Sequence, residues 1–133
     1  MYDCSIKYSS KISGKTLNFK ANGTLSNVNG NVKLNFTLED GQNFTFYILS
    51  DGGVRLISGG EAKYSILFKS KINYPFIISF GAFNIDASAN TKVVKTSINS
   101  SKVEVYVNYL FVCGKDVDKR TIKLCAEIIW YDY

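Results

Sequence analysis

The feature that most constrains this chain is an apolar alternation of period two that runs along most of its length. In "VKLNFTL", Val32, Leu34, Phe36 and Leu38 share one side, and Lys33, Asn35 and Thr37 share the other. "NFTFYI" repeats the pattern with Phe44, Phe46 and Ile48. Successive side chains of an extended strand point to opposite faces, so each segment reads as a strand with one buried and one wet face. The pattern recurs in "AKYSILF", in "VEVYVNYLFVC" and in the final segment, where Ile122, Leu124, Ala126, Ile128 and Trp130 stay in phase. No window holds apolar residues at helical spacing for more than about two turns, so little or no helix is expected.

Turn signals punctuate these strands: "SGK" after Ile12, Asn29-Gly30, Asp40-Gly41, "DGG" at 51–53, "SGG" at 58–60, "SINSSK" and "GKDVDK". Tight turns between short alternating segments make antiparallel hairpins, and many in succession make a sandwich or an up-and-down barrel. The expectation is one all-β domain over residues 1–133, with roughly eight to ten strands.

The stretch "YPFIISFGAFNIDASANT" decides between those architectures. Phe76, Ile78 and Phe80 alternate on even positions, and Phe83, Ile85, Ala87 and Ala89 on odd ones. A one-residue slip would turn the whole apolar set toward water unless an inserted residue restored the phase. The reading is a β-bulge at Gly81 and Ala82 in one long bent strand, which favours a closed barrel. The alternative is a turn at Gly81 between two separate strands.

Composition narrows the function. With 46% hydrophobic and 20% charged residues, a chain of 133 can bury its own core. No apolar run reaches the ~18 residues of a membrane helix. "MYDCSIKYSSKISGKTLNFK" lacks a basic head followed by an apolar core, so with Met1 as the start a cytoplasmic location and no membrane partner are expected. The three cysteines, Cys4, Cys113 and Cys125, have no C-x-x-C spacing and read as reduced thiols. Cys125, in a polar phase, is the one expected to react with thiol reagents.

Histidine is absent, which removes Ser-His-Asp and Cys-His catalysis and the commonest metal ligand. No phosphate-binding glycine motif occurs. Asp116 and Asp118 of "DVD", and Glu39-Asp40, sit at predicted turns, where Asp is favoured for geometry alone. No enzyme activity, metal or cofactor is therefore expected.

Several segments together resemble the YwiB-like family of small bacterial proteins: "VRLISGG", "FKSK", "YPFIISFGAFNIDASANT", and the pair "VEVYVNYLFV" and "RTIKLCAEIIWYD". The resemblance is best over the C-terminal two-thirds and rests on the aromatic-Gly-x-aromatic element at Gly81, on Thr91 and on strand spacing. It implies a calycin-type, lipocalin-like antiparallel barrel and no defined activity. Family members carry an Arg just before the Ser-Gly of "ISG"; here that position is Ile57, and the nearest arginine is Arg55.

Small barrels either fill with side chains or hold one small ligand. The inward phase is rich in aromatics, and Tyr8, Tyr64 and Tyr109 would bring hydroxyls that need partners. Phe36, Phe46, Tyr64, Phe68 and Tyr109 are the candidate wall of an interior site for a small, largely apolar or aromatic ligand, an acid among the options. Two other readings compete. One is a solid barrel acting through its outer face, with a homodimer burying Leu67, Leu110 or Ile129. The other is single-stranded nucleic-acid binding through Tyr47, Tyr106 and Tyr131 near Lys102 and Lys123. The net charge of +5 comes from lysines scattered along the chain, which fits a solvated outer face better than a binding stripe and weighs against nucleic acid.

Overall fold

The computed structural model of the chain describes residues 1–130. Ten strands run in order: β1 (Tyr2–Ile12), β2 (Lys15–Val28), β3 (Asn31–Thr37), β4 (Asn43–Ile48), β5 (Val54–Gly59), β6 (Ala62–Phe68), β7 (Asn73–Phe80), β8 (Phe83–Ile98), β9 (Lys102–Cys113) and β10 (Asp116–Ile128). No described residue is helical. Each strand pairs antiparallel with its successor, and β1 pairs with β10, so the sheet closes into an up-and-down barrel. Closure removes the sheet edges that could template aggregation everywhere except along the β6–β7 seam.

The alternation places Ile6, Leu34, Phe36, Phe46, Val54, Leu56, Phe68 and Val107 inside, at 0–2% exposure, with their in-phase neighbours beside them. Turn chemistry sets the register. Ser13-Gly14 and Asn29-Gly30 have positive φ at both residues, the pattern of type I′ turns. At Gly81-Ala82 and Gly114-Lys115 the glycine alone is positive, at 56° and 61°, the pattern of type II′.

The segment at Gly81 is therefore a hairpin turn, and the bulge expected at Gly81 and Ala82 is not there. β7 and β8 pair Phe80 with Phe83, Ile78 with Ile85 and Phe76 with Ala87. Partners across a two-residue loop share a face yet differ in parity, so an apolar set must change from even to odd on passing the turn. The bulge lies at Lys92, where the β8–β9 register shifts between Thr91 and Val93. Ala87, Ala89 and Thr91 are buried before it, and Val94 and Thr96 face inward after it. β10 also begins earlier than expected: Asp116, Val117 and Asp118 pair with Cys113, Val112 and Phe111, so "DVD" belongs to the strand.

The hairpins β1–β2, β3–β4, β5–β6, β7–β8 and β9–β10 lie at one end, called here the upper end. β8 pairs with β9 only from Ser88 onward, so the β7–β8 hairpin stands beyond the β9–β10 turn. Between β6 and β7 the register holds only Ala62 with Phe80 and Lys63 with Ser79. Below that, Pro75 has no N–H to give, and the two strands diverge.

Candidate functional site

The upper mouth gathers the unusual side chains. Counting by twos from Ile122 puts Arg120 and Asp118 on the inward face of β10, and the structure places Arg120 among three tyrosines. Tyr109, its cross-strand partner on β9, is 5% exposed and has its hydroxyl beside the guanidinium. Tyr8 on β1 is 7% exposed, with Ser10 beside its hydroxyl. Tyr64 on β6 has its hydroxyl beside Ser58 of β5. Gln42, in the β3–β4 loop, donates from Nε2 to Ser58 Oγ and to the Ala62 carbonyl at 3.1 Å.

The Arg120 Cζ lies 3.8 Å from the centre of the Phe111 ring. A guanidinium over a ring face is held by the ring's quadrupole, and its charge stays available to a ligand. Behind Phe111 the rings continue to Phe76 at 6.1 Å and Tyr64 at 6.0 Å. Asp118 Oδ2 approaches an Arg120 terminal nitrogen at 3.8 Å, and Asp118 accepts from Ser13 Oγ at 3.2 Å. The Nε of Arg120 is buried and has no hydrogen-bond partner among the described residues.

Burial pushes all three tyrosines up from their ordinary value, and the Arg120 charge opposes the rise in each. Tyr109 reaches about 12, and neighbouring Tyr64 adds to its rise. Tyr8 is pushed up further, by burial and then by Tyr64 and Tyr109. At neutral pH all three are therefore neutral donors grouped around one fixed cation.

The candidate wall divides in two. Tyr64 and Tyr109 reach this mouth. Phe36, Phe46 and Phe68 form the packed layer beneath: the Phe36 and Phe46 rings stack at 6.1 Å, and Phe68 meets Tyr109 at 4.8 Å. Tyr8 caps that layer, with Phe44 at 5.4 Å and Phe36 at 5.7 Å. Arg120 and Ser58 belong to no functional motif, and strand parity is the one signal in the sequence for both. Ile57 and Arg55 lie on the outer face of β5, where Arg55 donates to Ser65 Oγ at 3.0 Å, so neither enters the mouth. Above the site, the β7–β8 hairpin exposes Phe80, Phe83 and Ile85 on the same face as buried Ala87.

The other candidates stand apart. Leu67, Leu110 and Ile129 are half-buried and scattered over β6, β9 and the segment after β10. Tyr131 lies outside the described residues. Cys125 is half-buried, and burial with Glu104 and Glu127 raises its thiol above the ordinary value, which makes it a sluggish nucleophile.

No family model and no curated protein matches the sequence. A solved structure does: the crystal structure of the YwiB protein from Bacillus subtilis superposes with a TM-score of 0.85, over 97% of this chain and 93% of that one. At 14% identity the likeness is one of fold. The resemblance read from "VRLISGG", the Gly81 element and the strand spacing is thus borne out: the chain is a ten-stranded closed barrel structurally similar to the Bacillus subtilis YwiB protein.

Proposed function

We propose that the protein is a non-catalytic binding module that takes a small amphipathic or aromatic anion at its upper mouth. The observation that carries this reading is the buried, unpartnered Nε of Arg120, set among neutral tyrosine hydroxyls. An unmade hydrogen bond to a buried charged donor costs more than one to a neutral group, so such a donor favours an incoming anion. A carboxylate would accept from Nε, with the Tyr64 and Tyr109 hydroxyls beside it. The apolar part of the ligand would lie on Phe111, Phe76 and the lip formed by Phe80, Phe83 and Ile85. Ligand sites of this type combine apolar walls with a few convergent polar groups and occur in barrel mouths.

Calorimetric titration with octanoate and with octanol tests the reading. Octanoate is expected to bind at least tenfold more tightly than octanol, a difference that Arg120→Gln removes. Equal affinity for the two probes, or octanoate binding unchanged in Arg120→Gln, contradicts it.

A further inference from the structure

The register brings distant lysines together on the outside of the barrel. Across β2, β1, β10, β9 and β8, one row of outward residues reads Lys20, Lys7, Cys125, Glu104, Ser97. The next reads Asn18, Ser9, Lys123, Tyr106, Lys95. These are the long strands of the barrel, and long twisted strands form a saddle whose outer face is concave along one diagonal. The bulge at Lys92 adds a bend. The result is a groove of about 830 Å³ lined by both rows. Its size lies within the range of small-molecule sites, roughly 300–1,000 Å³.

Its chemistry is one-sided. Lys7, Lys20, Lys95 and Lys123 line the groove with one carboxylate, Glu104, which pairs with Lys102 at 3.0 Å, and Glu127 approaches Cys125 at one end. Tyr106 sits half-buried in the second row, with Lys123 Nζ 6.0 Å from its ring centre. Strands are spaced ~4.8 Å apart, so Lys7, two strands away, lies on the order of 10 Å from Tyr106. That is about the reach from a nucleobase to the phosphates of its nucleotide. A flat lipid surface does not enter a concavity, and Asn18, Ser9 and Ser97 add hydrogen-bonding groups suited to a sugar or base edge.

We infer that this outer groove binds a phosphorylated nucleoside, either free or as a unit of a single strand, with the base against Tyr106 and phosphate on Lys7, Lys20 and Lys123. The groove lies on the outer face of the sheet and shares only Tyr8 with the mouth, so its test is independent of the octanoate titration.

The test is fluorescence anisotropy with a labelled thymidylate 12-mer at low salt, with unlabelled thymidine diphosphate as competitor. Tyr106→Leu is expected to weaken binding about tenfold, by removing a stacking partner. Lys7→Gln with Lys123→Gln is expected to flatten the salt dependence by a log–log slope of about 1.4. Lys33→Gln with Tyr47→Leu, a similar lysine–tyrosine pair on another face, is the control and should change nothing. Displacement by the diphosphate supports the free nucleotide, and binding that the diphosphate does not displace supports the strand. No binding of either probe, or equal loss in the control variant, overturns the inference.

Discussion

Thr91 and Arg120 carry the two buried side-chain atoms left without a hydrogen bond among the described residues, and they have opposite meanings. Thr91 is fully buried beside the β8 bulge; its backbone accepts from Lys71 and donates to Ile72, but its hydroxyl faces no partner. A buried, unpaired hydroxyl lowers stability, so Thr91→Val, which keeps the shape, should raise unfolding free energy by about 1 kcal/mol. Urea denaturation checks this; a loss of stability would show that the hydroxyl is satisfied in solution. Arg120, at the mouth, is an unmade bond that a ligand can complete. The tyrosines around it give a pH signature. Their folded-state values lie above the unfolded value, so the native state holds the phenol protons more tightly. Stability is full below about pH 10 and falls as pH rises through the Tyr109 value of about 12. Each ionising group contributes a slope of about 1.4 kcal/mol per pH unit. Tyr109→Phe should flatten the fall measured by urea denaturation between pH 10 and 12; an unchanged slope contradicts the burial of its hydroxyl.

The strands were legible from period two alone, because a half-buried sheet writes its two faces directly into the sequence. The turn at Gly81 is indistinguishable from a bulge in sequence, because a bulge and a two-residue hairpin both shift parity by one and only pairing tells them apart. The true bulge at Lys92 has no glycine to flag it; its trace is the change from odd Thr91 to even Val94. At "GKDVDK" the acidic residues suggested a long turn, and that hid Asp118 and Arg120 at the inward positions of β10. The element most specific to the proposed site is the β7–β8 hairpin, which leaves Phe83 75% exposed. A ring so open adds little to folding. Phe83→Ser should leave the unfolding free energy within about 0.5 kcal/mol of the parent and lower octanoate affinity several-fold. Unchanged affinity would remove the lip from the site.

At the scale of the whole molecule, closure does what no local pattern states. It sets the mouth residues from β1, β5, β6, β9 and β10 around one cation, and it aligns Lys7, Lys20, Lys95 and Lys123 in one groove although they look scattered along the chain. The aromatic interior was legible; its division into a packed layer of Phe36, Phe46 and Phe68 under a polar mouth was not, because it depends on how far along the barrel each residue lies. In the proposed function, the buried Nε of Arg120 is the donor that an anion completes. The most direct measurement follows the Nε–H resonances of the two arginines, Arg55 and Arg120, by NMR during titration with octanoate. A large, saturable shift at Arg120 with Arg55 unmoved is expected. An Arg120 resonance that stays still while octanoate saturates, or moves no more than that of Arg55, would contradict it.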